Sequence, residues 1–321
     1  MLRFLARRTL QGLLVIWLVT VIVFLIFYVG PGSADVARAL AGRTASPETV
    51  ALISHRLLLD RPWYDQYWHF FTQLVHGNLG YDYYHDQSVA EIIKQAFPIT
   101  FSLLLGAAPL WLALGVGSGV FAAVRPRSLL DRLATAVALF FYSMPTFVLG
   151  LLFVLILYYE LTIHGHAWFP PSGYTPFTED PLQWARSLIL PWITLALVTA
   201  GAYTRLSRTS MLEVMNEDFL RTARAKGLKE RKIVYRHGLR AASTPIVTQF
   251  GIDVGALIGG AVITEQVFGL PGLGYTAVHA IEQQDLPVII GIVLVASAGV
   301  VVANILVDLF YAVLDPRVRV N

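Results

Sequence analysis

A short charged segment lies between two long apolar runs of this chain and reads Asn216-Glu-Asp-Phe-Leu-Arg-Thr-Ala-Arg-Ala-Lys-Gly-Leu228. The flanking runs are Ser187 to Thr204 and Thr244 to Thr264, and a helix needs roughly 20 such residues to cross a bilayer. The loop that joins them, Arg205 to Arg240, holds 10 of the 24 basic residues. This part of the sequence therefore predicts two membrane helices joined by a large basic loop.

The composition of the whole chain is that of an integral membrane protein. Of its 321 residues, 56% are hydrophobic and only 14% are charged, whereas soluble domains have about 25% charged residues. The chain has no cysteine, which excludes disulfides and thiolate metal ligands. It also has no phosphate-binding GxxxxGKS/T sequence, so we predict that any nucleotide is bound by another protein.

Six apolar runs are long enough to cross a membrane. A backbone in lipid must satisfy its own hydrogen bonds, and the runs lack the strict alternation of barrel strands. We therefore predict an all-α integral membrane protein with six transmembrane helices. The runs are Thr9 to Val29, Ile99 to Val124, Leu133 to Tyr159, Ser187 to Thr204, Thr244 to Thr264 and Leu286 to Val307.

The distribution of Lys and Arg predicts the orientation, because basic loops are retained in the cytoplasm. With the N-terminus inside, 18 basic residues lie in cytoplasmic segments and 6 lie outside. Both termini of this multi-pass inner or plasma membrane protein are therefore predicted to be cytoplasmic. The predicted regions are a first helix with its N-terminus (1–30), an external subdomain (31–96), a transmembrane core (97–314) that includes the basic loop (205–243), and a cytoplasmic tail (315–321).

Glycines and prolines within the runs predict close packing and bends. Gly115 and Gly119 form a small-xxx-small surface for helix packing rather than a nucleotide site. Pro109, Pro145 and Pro191 each remove a backbone hydrogen bond and are expected to bend a membrane helix.

The external subdomain is predicted to be small and helical. Ser46-Pro47-Glu48 is typical of a helix start, with a capping hydroxyl, a proline in the first turn and an acid at the positive end of the dipole.

A second external loop, Leu161 to Arg186, is rich in proline and aromatic residues. We predict that it reaches a binding protein outside, with Trp168, Phe169 and Tyr174 as contact candidates. Its His164-Gly-His166 spacing fits a metal ion, but histidines in surface loops are usually only polar residues, so no metal site is predicted.

The charged segment itself predicts a short helix. Asn216 is a good N-cap, Glu217 and Asp218 suit a helix N-terminus, and Gly227 is a natural stop. A helix of about ten residues is marginal alone, so tertiary contacts must hold it. Charge alone fits two roles equally, a loop on anionic lipid headgroups or a docking element for a cytoplasmic protein.

Several motifs resemble those of one transporter family. Thr222-Ala-Arg-Ala-Lys-Gly227-Leu228, followed by Arg240-Ala-Ala-Ser-Thr-Pro245, resembles the cytoplasmic loop of ABC importer permeases of the dipeptide, oligopeptide and nickel family. Leu58 and Thr244 stand where many members have glycine and leucine. Further motifs that resemble those of the family follow in order along nearly the whole chain, so the chain is identified as a B-type subunit. These motifs are Leu57-Leu-Leu-Asp60-Arg-Pro62, His76-Gly-Asn-Leu-Gly80, Thr264-Glu-Gln-Val-Phe268-Gly-Leu-Pro271, Asp285-Leu-Pro287 and Asp315-Pro316-Arg317.

The resemblance implies a type I ABC importer permease that pairs with a homologous second permease chain. Two ATPase subunits bind ATP and Mg and dock on the cytoplasmic loop, so this chain is expected to need no cofactor and to catalyse no reaction. A solute-binding protein delivers short peptides outside, and no nucleic-acid partner is expected. The residues expected to form the coupling contact are Phe219, Leu220, Arg221, Thr222, Ala223, Arg224, Lys226 and Gly227.

Asp253 is the one acid within a predicted span, and charge in lipid is expensive. It is a candidate to contact a cationic substrate group, such as a peptide amino terminus, in the translocation path. A buried protonated carboxyl bonded to a neighbouring helix is the other interpretation.

Nickel or another metal-containing compound is the alternative substrate within the family. An ion-coupled secondary transporter is the alternative from another class, with one intramembrane acid as thin support.

Overall fold

The structure is a computed structural model that describes residues 2–29, 37–38, 46–56, 58–82, 85–166, 168–170 and 173–314. The predicted tail, 315–321, and most of 31–45 lie outside the described residues. Within the described ranges, six helices are long and apolar enough to cross a membrane, which confirms the predicted number and the all-α class.

In the described part of the chain, the elements are helices and one small hairpin. In chain order they are α1 (Leu2–Phe24, continued by a π-helical turn Leu25–Val29), α2 (Pro47–Arg56), α3 (Trp63–Val75), β1 (Tyr81–Asp82), β2 (Gln87–Ser88), α4 (Val89–Val124), α5 (Leu129–Ser143), α6 (Thr146–Ile163), α7 (Pro181–Met215), α8 (Asp218–Ala225), α9 (Glu230–Ile258), α10 (Val262–Phe268), α11 (Leu273–Gln283) and α12 (Leu286–Leu314). The membrane-crossing helices are α1, α4, α6, α7, α9 and α12.

Most membrane helices have bounds that differ from the predicted spans, and two of these differences have a local backbone cause. The third run, Leu133 to Tyr159, is two helices, because Met144 is extended with φ −82° and ψ 130°. A residue before a proline is disfavoured in the helical region, so Pro145 starts α6 instead of bending a span. The fifth run was predicted to end at Thr264. The helix instead begins at Glu230 and ends at Ile258, since Gly260 has φ +112°.

The first of two compact units comprises residues 1–100, 258–262 and 271–305. Its core joins the start of α4 to α11 and α12 through a buried cluster. On α1, the buried Phe24 ring lies 5.3 Å from the Tyr67 ring of α3, and Thr20 Oγ1 lies 3.0 Å from Tyr67 Oη. The aromatic side chains of α3 therefore pack on the first membrane helix. The core cluster consists of Val89, Ile93, Ala96, Leu273, Ala280, Val288 and Ile292.

The helical character predicted for the segment between the first two spans is confirmed by α2 and α3. The predicted cap of α2 is also present, because the Thr49 N–H donates to Ser46 Oγ at 3.2 Å.

The second unit comprises, of the described residues, 101–257, 263–270 and 306–314. Here α4 lies directly against α7, as the glycine pattern predicts. A Cβ added at Gly115 would lie 2.5 Å from Tyr203 Cβ, and one added at Gly119 would lie 2.5 Å from the carbonyl oxygen of Thr204. The Ser207 hydroxyl donates to the carbonyl oxygen of Gly115 at 3.2 Å. Close packing of these two glycines is thereby confirmed.

Candidate functional site

The predicted short helix is α8, and its own chain holds it in place. Leu220 is fully buried, so one face of α8 packs into the second unit. The Arg224 guanidinium donates to a Glu230 carboxylate oxygen at 2.9 Å and to the Met215 carbonyl at 3.5 Å. These contacts tie α8 to the end of α7 and to the start of α9. The expectation that tertiary contacts hold this helix is therefore confirmed.

The predicted start of α8 is wrong, whereas its predicted end is confirmed. Asn216 is not its N-cap; it ends α7, and its Nδ2 donates to the Leu212 carbonyl at 2.9 Å. Glu217 occupies the N-cap position without a side-chain hydrogen bond. The stop at Gly227 is confirmed, because its φ is +74° and its N–H donates to the Arg224 carbonyl at 2.9 Å.

The predicted coupling residues divide between two faces of this segment. Including Leu220 in a docking surface is wrong, because the side chain is completely covered by its own chain. Phe219 next to it is 47% exposed, an aromatic ring at the surface of a polar helix. The accessible members of the predicted set are Phe219, Arg221, Thr222, Ala223, Arg224, Lys226 and Gly227.

Basic side chains continue this surface beyond α8. An open cavity of about 420 Å³ is bordered by exposed residues. The four cations among them favour an acidic protein surface or anionic headgroups as neighbours. The bordering residues are Lys229, Arg231, Lys232, Tyr235 and Arg236.

A partly buried ion pair fixes the last two turns of α7 to α5. Arg208 Nε donates to Asp131 Oδ1 at 2.6 Å, and Nη2 donates to Oδ2 at 2.9 Å. The hydrogen bond from Arg208 is the main cause that lowers the pKa of Asp131 to about 2. Sequence reasoning missed this pair, because it counted Arg208 only as one positive charge of the loop.

Asp253 accepts hydrogen bonds at both carboxylate oxygens. The Tyr203 hydroxyl of α7 donates to Oδ2 at 2.7 Å, and Gln249 Nε2 donates to Oδ1 at 3.0 Å. Tyr203 is buried, while Asp253 is only half-buried. The interpretation of Asp253 as a carboxyl bonded to a neighbouring helix expected such a hydrogen bond, and the bond from Tyr203 is present. A contact with substrate stays a prediction.

The three aromatic candidates of the external loop differ in accessibility. Trp168 is 67% exposed, whereas Phe169 and Tyr174 are half-buried. The Tyr174 hydroxyl lies 3.3 Å from Ser102 Oγ, which also accepts from Trp184 Nε1 at 3.1 Å. Of the three, Trp168 therefore presents the most exposed ring, and its contact with a binding protein stays a prediction.

Sequence reasoning also missed a polar cluster in the first unit, formed by Asp82, His85 and Asp285. His85 Nδ1 lies 2.6 Å from Asp82 Oδ2, and Asp82 is hydrogen-bonded to Asp285. Burial raises the pKa of Asp285, and the hydrogen bond and charge of Asp82 raise it further. The Asp-x-x-His spacing of Asp82 and His85 was visible in the sequence, but only the fold brings Asp285 to them.

The family of the chain follows from comparison with known proteins. Residues 115–320 match the family described as binding-protein-dependent transport system inner membrane component. The chain belongs to this family. Residues 1–104 match the N-terminal region that accompanies it. The predicted resemblance is thereby confirmed, and the chain is a membrane permease.

Relatives cover the chain from end to end. A Brucella abortus protein whose name assigns it to a peptide transport system as permease is 40% identical over 313 residues, 98% of each chain. The glutathione transport system permease GsiC of Escherichia coli strain K12 is 35% identical over 319 residues, 99% of each chain.

A solved structure agrees with the fold. The MetNI methionine ABC transporter in inward-facing conformations gives a TM-score of 0.52 at 18% identity, with 70% of this chain and 96% of that chain covered. The predicted type I importer permease fold is confirmed by this likeness.

Proposed function

We propose that this permease is the membrane-spanning subunit of an ATP-driven importer of short peptides. The observation that carries the proposal is α8, a short helix anchored by Leu220 that presents Phe219 and a basic surface to a partner. The end-to-end relatives named for peptide and glutathione transport support peptides as the substrate class.

The anchoring of α8 explains how an ATPase would act on this chain. Arg224 reaches both Glu230 at the start of α9 and Met215 at the end of α7. A displacement of α8 is therefore passed to two membrane helices at once. ATP and Mg would be bound by two ATPase subunits, and this chain would catalyse no reaction itself.

The remaining partners follow from the same proposal. The basic loop and both termini face the cytoplasm, where the ATPase subunits dock. A homologous second permease encloses the translocation path together with this chain in the bilayer. A solute-binding protein on the other side contacts the loop of Trp168 and delivers the peptide.

Asp253 is proposed to meet the amino terminus of the peptide. Its carboxylate is only half-buried and is oriented by Tyr203 and Gln249, so a cationic group can approach it. A preoriented carboxylate in a region of low dielectric attracts an ammonium group strongly.

Reconstitution tests the docking role. The complete transporter is placed in proteoliposomes, and ATP-dependent uptake of a labelled dipeptide is measured for Phe219→Ala and for Phe121→Ala. Phe121 is the matched control, since its ring is also 47% exposed but lies on α4, outside the cytoplasmic loop. We expect Phe219→Ala to lose bound ATPase and uptake, and Phe121→Ala to retain both.

Two results would contradict the proposal. Peptide uptake by this chain without any ATPase would indicate a secondary transporter. A solute-binding protein that retains nickel and no peptide would move the substrate to the metal-containing class.

A further inference from the structure

Three side chains with metal-binding atoms converge in the first unit. Asp82 ends β1, His85 lies in the turn of the hairpin, and Asp285 directly precedes α12. One ligand atom from each lies within 4.8 Å of the other two. Among the described residues, no other group of three or more histidine and carboxylate side chains comes this close.

The two carboxyl groups of this cluster are deeply buried. Asp82 is 1% and Asp285 is 2% exposed, and their side chains are hydrogen-bonded to each other. Two adjacent carboxylates repel each other and are costly to keep out of water, so the pair needs a positive charge or a proton between them. A divalent cation meets this need with a single ion.

The donor set selects the class of cation. One imidazole nitrogen and two carboxylate oxygens suit Zn²⁺ and similar transition metals better than Ca²⁺ or Mg²⁺, which prefer oxygen alone. We infer that Asp82, His85 and Asp285 bind a divalent transition metal, with Zn²⁺ as the representative ion. This inference does not depend on the proposed transport function.

The geometry requires only a small adjustment. Tetrahedral Zn²⁺ with bonds of about 2.0–2.2 Å holds its ligand atoms about 3.4 Å apart. The separations between these atoms, none above 4.8 Å, must therefore shrink by no more than about 1.4 Å. His85 can supply this movement, because its side chain is 54% exposed while the two carboxyl groups stay fixed by burial.

A cleft of about 390 Å³ in the same unit borders the cluster. Its wall includes Gln87, Gln95 and His279. The Nε2 atom of His279 is buried and makes no hydrogen bond with the described residues. The fourth coordination position would thus be open to this cleft, where water or a ligand donor can complete the shell.

Metal binding would join two distant parts of the chain. The hairpin that carries Asp82 and His85 precedes α4, whereas Asp285 directly precedes the last membrane helix. A bound ion would therefore cross-link these segments and stabilise the first unit.

The test uses the purified full-length chain in detergent, stripped of metal and titrated with ZnCl₂ by calorimetry. We expect one saturable equivalent that His85→Ala and Asp285→Asn each weaken by at least about 10-fold. Asp86→Asn is the control, since this neighbouring acid is exposed and lies outside the cluster. Zn²⁺ should also raise the melting temperature of the wild type and of the control, but not of His85→Ala.

Folding of the variants does not limit this test. Asp285→Asn keeps the side-chain oxygen that accepts from the Val288 N–H at 3.3 Å, and His85 lies at the surface. A wild type that binds no Zn²⁺ would overturn the inference, since the buried pair would then hold only a shared proton. Equal binding by His85→Ala, Asp285→Asn and the control would also overturn it.

Discussion

Replacing Gly227 should separate docking of α8 from folding of the protein. The residue has φ +74°, and a Cβ added there would meet nothing within 4 Å. Gly227→Ala therefore causes no clash and costs only the left-handed backbone conformation, about 1–2 kcal/mol. Since this turn ends an eight-residue helix, the strain is relieved most easily by fraying the last turn. A cost of 1–2 kcal/mol lowers the equilibrium constant between the intact and the frayed turn by about 5- to 30-fold, and the population of the intact turn falls because so short a helix is marginal.

The assay is ATP-dependent dipeptide uptake by the reconstituted transporter, normalised to the amount of inserted chain. Gly77→Ala is a matched control, because Gly77 has φ +79° and also has nothing within 4 Å of an added Cβ. Both variants carry the same backbone strain, but only Gly227 lies in the proposed docking segment. We expect uptake to fall by as much as about 5- to 30-fold for Gly227→Ala and to change little for Gly77→Ala.

A third variant isolates the backbone as the cause. Asparagine tolerates the left-handed region better than alanine, so Gly227→Asn should recover most of the uptake. Equal uptake by wild type and Gly227→Ala would refute the docking role of this turn. An equal loss for Gly77→Ala would show that strain anywhere in the chain suffices, which would also refute it.

Three further predictions concern the second unit. Asp253→Asn should reduce uptake of peptides with a free amino terminus about 10-fold, which is equivalent to about 1.4 kcal/mol. Uptake of N-acetylated peptides should not change. Unchanged uptake of every peptide would exclude the contact between Asp253 and the substrate. Gly119→Ala should lower stability in detergent by about 1–3 kcal/mol because its Cβ meets the Thr204 carbonyl, whereas Gly117→Ala, with open space around it, should melt like the wild type. The lowered pKa of Asp131, about 2 against an ordinary 3.8, should contribute about 2 kcal/mol above pH 4 that is lost as the pH falls to 2. Thermal melts should show a smaller loss over this range for Asp131→Asn than for the wild type.

The number of membrane helices could be predicted from the sequence, because length and apolar character alone decide whether a helix can span a bilayer. The ends of these helices depend on local backbone conformation. Met144 and Gly260 terminate helices inside apolar runs, where hydropathy does not change. A proline following Met144 was visible, but it was interpreted as a bend within one helix.

The end of α8 was predictable from the sequence, because it depends on the backbone conformation of one residue. The stop at Gly227 follows from the left-handed turn that only glycine adopts without cost. The inward direction of Leu220 was not predictable, because an amphipathic helix of eight residues does not reveal which face its own chain covers. Pairs such as Asp82 with Asp285 depend wholly on tertiary structure.

The contact between α5 and α7 has a mechanical consequence. Arg208 bonds Asp131 with both oxygens engaged, and an added Cβ on Gly201 would lie 2.4 Å from the Ala138 carbonyl, so the two helices touch backbone to backbone. Two helices in such close contact are expected to move as one rigid body. A displacement of α8, which follows α7 directly, would therefore move α5 and α7 together, with little relative motion between them.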